Sequence, residues 1–165
     1  MTRRAAIIPA RLGSRRLPRK VLADLGGVPM VARVAQKAQQ ARLVDEVYVA
    51  TGDEEIAEVV STAGFDVIRT LSKHASGTDR VAEAARILGL GAGDLIVNVQ
   101  GDEPFLEPGV VDSIVEALTR GAAVATAAAP LEGEPEDRSV VKVVCDSRSC
   151  ALYFSRSRIP LSGPW

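Results

Sequence analysis

The sequence contains one histidine and two cysteines, and only 4% of its residues are aromatic. With His74 alone, a Ser-His-Asp triad or a multi-histidine metal site would have to be built around that single residue. Cys145 and Cys150 are spaced neither as a Cys-x-x-Cys redox pair nor as zinc ligands. A hairpin over "KVVCDSRSCALYF" would let them face each other, but two reduced thiols are expected in a cytosol. No run approaches the roughly 20 apolar residues of a membrane span. Arg3 and Arg4 precede an apolar stretch that meets Pro9 and Arg11 too soon to be a signal peptide's core. A cytoplasmic protein with no membrane partner is therefore expected. Neither sign of charge dominates: 20 basic residues face 21 acidic ones, for a net charge of −1. General nucleic-acid affinity needs a broad basic field, so no nucleic-acid partner is expected. Internal repeats and low-complexity tracts are absent as well.

What is present is an Ala- and Val-rich chain of 165 residues, long enough for one domain, residues 1–165, to bury roughly 70% of its unfolded surface. "RAAIIPA" reads as a short buried strand. Residues 29–41 carry helical apolar spacing, with Pro29 suited to the first turn. "DEVYVAT" reads as a strand, and Asp53 as the cap of a helix that stops at Gly64. "FDVIR" is a third strand, and Ser76 or Thr78 opens a helix to about Leu88. "DLIVNVQ" is nearly all apolar, as in a parallel strand covered on both faces. Pro108 begins a helix to about Thr119, and "AAVATAAAP" is expected as a strand of small residues. "PLEGEPEDR" reads as a loop, and the tail as two β-rich runs around "DSRS". Alternating strands and helices predict an α/β fold, a three-layer, doubly wound, mainly parallel sheet, with an antiparallel addition at the C-terminal end. Ligands of such sheets bind beyond the carboxyl ends of the strands, which makes the loops after Pro9 and Gln100 neighbours.

Three constellations carry chemistry. "RLGSRRLPRK" puts five basic residues into the ten from Arg11 to Lys20. Gly13 and Ser14 let backbone N–H groups turn inward, while Arg11, Arg16 and Lys20 supply cations suited to a triphosphate. A solvated basic loop is the competing reading. The run has neither a Gly-Lys-Ser/Thr ending nor Gly-x-Gly-x-x-Gly spacing, which disfavours a P-loop and a dinucleotide site. "NVQGDEP" brings Gln100, Asp102 and Glu103 to the same rim, with Gly101 permitting a sharp turn. Carboxylates with phosphate oxygens suit magnesium, although Gly-Asp after a strand also makes a plain turn. "KHASGTDR" places small residues before a helix N-terminus, which can take an anion or the edge of a base. It can equally be just a capped helix start, with His74 orienting the loop rather than acting as a base.

"IPARLGSRRLPRK", "HASGTDR", "VNVQGDEP" and "ALYFSRSRIP" resemble, in order and spacing, the CMP-Kdo synthetases, the 3-deoxy-manno-octulosonate cytidylyltransferases. The likeness runs from about Ala6 to Pro160. The first motif is shared more loosely by other sugar nucleotidyltransferases, including CMP-sialate synthetases. The resemblance implies a Rossmann-like nucleotidyltransferase fold. It also implies transfer of CMP from CTP to the anomeric hydroxyl of Kdo with release of pyrophosphate, for lipopolysaccharide. Arg11, Ser14, Arg16 and Lys20 match the triphosphate loop, with Lys20, Arg16 and Asp102 as the catalytic set. Ser76 and Gly77 match the cytidine-contacting segment, Gln100 a further nucleotide contact, Asp102 a Mg2+ ligand, and Arg156 a position near the sugar acid. Residues 1–130 would form the nucleotide-binding half and 139–165 the start of the sugar-binding and dimerisation portion of a homodimer. Arg19 stands where the family usually has Gly, and Val21 where Pro is common. Family members continue beyond "SRSRIP" through a second metal-binding aspartate, so the sequence reads as truncated. Another sugar acid such as a sialate, or CTP binding without turnover, are the alternative readings.

Overall fold

The computed structural model describes residues 2–13, 17–131 and 136–160. The chain divides into two compact units, residues 1–125 and 126–165, each considered by itself.

In the first unit β1 (Arg4–Pro9) lies between β2 (Glu46–Thr51) and β4 (Leu95–Asn98), and β3 (Asp66–Arg69) lies outside β2. All three pairings are parallel. The helices are α1 (Met30–Gln39), α2 (Glu54–Thr62), α3 (Gly77–Ile87) and α4 (Pro108–Thr119). Side chains alternate across a strand, and the core obeys that period. Ala6 and Ile8 face a cluster with Val31 and Val34 of α1, Ile56 and Val60 of α2, and Val111 and Val115 of α4. Ala5 and Ile7 face the other side, where Val81, Ala84 and Ala85 of α3 cover them. Helices thus lie on both faces, which is the three-layer architecture expected. Each fully buried Ile of β1 contributes about 1.5–3 kcal/mol.

The strand order β3-β2-β1-β4 sets the position of the site. The chain moves outward from β1 to β3, then α3 returns it to the far side of β1. Direction reverses between β1 and β4, and the crevice beyond their carboxyl ends is the switch point of such sheets. Val99 N–H still donates to Ile7 O at 3.1 Å, carrying the pairing up to that rim.

Three details differ from the sequence reading. β4 is covered on one face only: Val97 is buried, whereas Ile96 and Asn98 are exposed. The reason is that α3 packs over β1 and β2. The "AAVATAAAP" segment forms no strand; alanine has little side chain to bury on a pleated surface, and β-branched residues are scarce there. Asp53 sits at the N-cap of α2, but its side chain does not cap the helix. Its carboxylate instead accepts from Leu12 N–H at 2.9 Å, tying the start of the basic loop to α2.

The second unit is built on an antiparallel hairpin, β5 (Lys142–Cys145) and β6 (Ala151–Ser155), as the tail's β-rich runs suggested. Its turn is held by Asp146, which accepts from the N–H groups of Arg148 and Cys150, both at 2.9 Å. Cys145 pairs with Ala151, not with Cys150, and both thiols are free and exposed. Buried Lys142 organises the unit: its Nζ donates to the carbonyls of Asp137, Val140 and Arg156. No helix among the described residues is long and apolar enough to cross a membrane.

Candidate nucleotide site

A cleft of about 640 Å³ opens over the crevice between β1 and β4 in the first unit. Of the site residues read from the sequence, Arg11, Lys20, Ser76, Gly77, Gln100 and Asp102 all line it. Ser14 and Arg16 lie outside the described residues. Arg156 belongs to the second unit, where its Nη1 donates to the carbonyls of Arg138 and Ser139, both at 3.1 Å.

One end of the cleft carries the charge. Arg11 lies two residues past the end of β1 and is exposed there. Lys20 begins a single 3-10 turn, Lys20–Leu22, anchored beneath by Val21 at 9% exposure. The Lys20 ammonium donates to Asp102 Oδ2 at 2.7 Å, and both side chains are partly open to solvent. Such a half-exposed pair is worth about 0–1 kcal/mol, so either partner exchanges readily for a ligand group. Gln100 Nε2 donates to Asn98 Oδ1 at 3.2 Å, across the exposed face at the end of β4.

Gly101 is needed for a reason other than a sharp turn. A Cβ there would sit 2.9 Å from Pro9 O and 3.5 Å from Ile8 Cγ2. The glycine lets β1 and the segment after β4 touch backbone to backbone, which fixes Asp102 relative to the basic loop.

The other end is lined mainly by small residues. Ala75, Ser76 and Gly77 line it at the start of α3. Ser76 makes a full capping box: Asp79 N–H donates to Ser76 Oγ at 3.1 Å, and Ser76 N–H to Asp79 Oδ2 at 2.9 Å. The capped-helix reading of this motif therefore holds in its geometry. Gly77 lets that helix start pack on Pro9, whose Cγ would lie 3.3 Å from an added Cβ. Behind it, His74 Nε2 meets Glu83 Oε2 at 2.6 Å, which ties His74 to α3 as a loop-orienting residue. Burial pushes the Glu83 carboxyl up, but hydrogen bonds from Leu71 N–H and His74 together hold it below its ordinary value.

Sequence reasoning missed Arg80. It is 3% exposed, lines the cleft, and donates to Thr70 Oγ1 at 2.5 Å, Leu71 O at 3.0 Å and Ser72 O at 3.2 Å. Burial lowers its pKa, partly opposed by the charges of Asp53 and Glu83. A legible signal existed: Arg80 stands four residues before Ala84 on the buried stripe of α3, a charge at a core position.

Comparison with known proteins agrees with this geometry and with the motif resemblance. The model of the Cytidylyltransferase family matches residues 5–162. A 3-deoxy-manno-octulosonate cytidylyltransferase of Anaeromyxobacter sp. (strain Fw109-5) is 51% identical over 161 residues, covering 97% of this chain and 65% of that protein. The one from Wolinella succinogenes is 47% identical, covering 93% and 65% respectively. Among solved structures, a CMP:2-keto-3-deoxy-manno-octonic acid synthetase complexed with CTP superposes with a TM-score of 0.84 at 39% identity, covering 96% of this chain and 66% of that one. The chain thus spans about 65% of the length of the curated relatives it matches. With the parallel sheet, the switch-point cleft and a family match over nearly its whole length, the chain belongs to the cytidylyltransferase family.

Proposed function

We propose that the protein transfers CMP from CTP to 3-deoxy-D-manno-octulosonate (Kdo), giving CMP-Kdo and pyrophosphate for lipopolysaccharide biosynthesis. The observation that carries this reading is the convergence, in one cleft, of cations from the loop after β1, a carboxylate from the segment after β4, and the small residues Ala75, Ser76 and Gly77 at the start of α3. The names of relatives at about half identity support the choice of nucleotide and sugar.

The protein's part is positioning and charge compensation rather than covalent chemistry. Arg11 and Lys20, joined by Ser14 and Arg16 of the same loop, bind the triphosphate and neutralise pyrophosphate as it leaves. Lys20 is held for this by Asp102, at little cost in breaking the pair. Gln100 and the Ala75–Gly77 segment take the nucleoside. The planar fork of Arg156 suits the carboxylate of the sugar acid.

Mg2+ is the proposed cofactor, held by Asp102. One or two carboxylates plus substrate phosphate oxygens are its usual ligands, and a single Asp beside a phosphate-binding cation fits that donor set. No group of three or more His, Cys, Asp or Glu that could hold a metal occurs among the described residues, so the phosphates would complete the set. When bound, the ion supplies charge neutralisation and Lewis-acid polarisation at a phosphoryl oxygen. The same reading makes the cytoplasm the compartment and a homodimer the full-length assembly.

Pyrophosphate release, measured with CTP, Mg2+ and a panel of sugar acids, tests the proposal. Kdo should support turnover and a sialate should not, and Asp102→Asn should lower the rate by about a hundredfold or more. Unchanged turnover in that variant removes Asp102 from the mechanism. CTP binding without product would mark this chain as a nucleotide-binding form.

A further inference from the structure

The two ends of the cleft differ in what fixes them. At the charged end, side chains reach the ligand space themselves. At the other end, Ala75, Ser76 and Gly77 have almost no side chain, and the Ser76 hydroxyl and N–H are both engaged with Asp79. The Asp79 carboxylate also offsets the positive end of α3, and the buried Arg80 guanidinium beside it is taken up by Thr70, Leu71 and Ser72, which makes this end a poor seat for phosphate and a better one for an uncharged base. Recognition there must rely on where the backbone of residues 70–77 is held.

That backbone is held in part by a residue outside the cleft. Glu83 is not among the cleft-lining residues. Its Oε2 accepts from Leu71 N–H at 3.0 Å and meets His74 Nε2 at 2.6 Å, so one carboxylate oxygen grips the loop at two points three residues apart. Arg80, one turn earlier on α3, takes the acceptors of Thr70, Leu71 and Ser72. Gly52, at the end of β2, lets the same stretch close down: a Cβ there would lie 2.5 Å from Ser72 Cα. Both His74 and Glu83 side chains are more than four-fifths buried, so the pair is shielded from competing water.

We infer that Glu83 is a positioning residue for nucleobase selectivity: through His74 and Leu71 it sets the backbone of the segment that distinguishes cytosine from other bases. The inference rests on the cleft being a nucleotide site. It makes Glu83 specific to the base end and irrelevant to the triphosphate end.

Isothermal titration of the chain with CTP, UTP and inorganic tripolyphosphate, all with Mg2+, separates the two ends. Glu83→Ala removes one charged hydrogen-bond acceptor and should weaken CTP about tenfold, reduce the preference for CTP over UTP, and leave tripolyphosphate affinity within about twofold. Glu83→Gln, which keeps an oxygen acceptor, should restore most of the preference. His74→Phe, which leaves the Glu83–Leu71 bond in place, should give a partial loss of the same kind and serves if Glu83→Ala does not fold. Equal weakening of CTP and tripolyphosphate, or unchanged CTP preference, overturns the inference. A wild-type chain that binds tripolyphosphate without preferring CTP overturns it too while sparing the cationic end. One that binds none of the three overturns the nucleotide-site reading with it.

Discussion

Two backbone positions decide how the charged end of the cleft is built. At Gly101 the neighbours of an added Cβ are Pro9 O and Ile8 Cγ2, and a backbone oxygen in a buried strand cannot move aside. Gly101→Ala should therefore cost about 1–3 kcal/mol by forcing β1 and β4 apart, read as a lowered denaturation midpoint with unchanged slope. Gly109→Ala, in open space on α4, should be neutral or slightly stabilising. Arg19 is the second position, with φ 58° and ψ 24°, the left-handed conformation. It stands where the resembled family usually has Gly, so the departure places a Cβ in a conformation that disfavours one. Arg19 also forms an exposed ion pair with Glu55, worth little on its own. Arg19→Gly and Arg19→Ala both lose that pair, but only Gly relieves the backbone. Gly should be the more stable variant by about 1 kcal/mol, and equal stability would show that the loop relaxes around residue 19. That Gly101 mattered was readable from "QGDEP", but the reason was not, because close approach depends on which strand lies alongside.

At the scale of elements, α3 joins the architecture to the site. Its cap, Ser76 with Asp79, starts the helix at the cleft, and its buried face covers Ala5 and Ile7 of β1. Either Ser76→Ala or Asp79→Ala breaks the capping box, and each should cost about 1 kcal/mol of unfolding free energy. A cost in Ser76→Ala alone would mean that the box is redundant. The helix and its start were legible because "SGTD" is a cap pattern followed by helical apolar spacing. The helices from Pro29 and Pro108 and the strands β1 to β3 were legible for the same kind of reason. "AAVATAAAP" was misread because apolar composition without β-branched side chains does not specify a strand. The capping role of Asp53 was misread because its carboxylate is claimed by Leu12, 41 positions away in sequence. Arg80 was marked only by its place on the buried stripe of α3, and Glu83 had no such mark, because its partners Leu71 and His74 lie in no regular element.

For the molecule as a whole, the end of the sheet opposite the cleft is held by charge. Asp94 accepts from Gly91 N–H and Arg3 N–H, which together hold it below the ordinary carboxylate value. Asp45 is held down chiefly by the hydrogen bond from the Arg4 side chain. Glu83, Asp137 and Asp146 are also depressed, the last two by backbone N–H donors in the second unit. A carboxyl whose folded pKa is lowered binds its proton more readily when unfolded. Its stabilisation is therefore complete above the unfolded value and is lost as pH falls through the depressed folded one. Denaturant midpoints should be flat from neutrality to about pH 5 and fall steadily below it. Asp94→Asn should lower the neutral-pH midpoint and flatten part of that fall, since the amide cannot titrate. Hydrogen exchange should show β1 and β4 opening first near Arg3 and Leu95, where Leu95 N–H donates to Arg3 O at 2.8 Å beside Asp94. A midpoint constant down to about pH 3 would show that these carboxylates keep ordinary pKa values in the folded chain. Acid should loosen the base end of the cleft through Glu83 but spare its charged end, which is fixed by the packing of Gly101 on Pro9 and Ile8. Tripolyphosphate binding at about pH 4.5 should therefore persist after exchange near Arg3 has already accelerated.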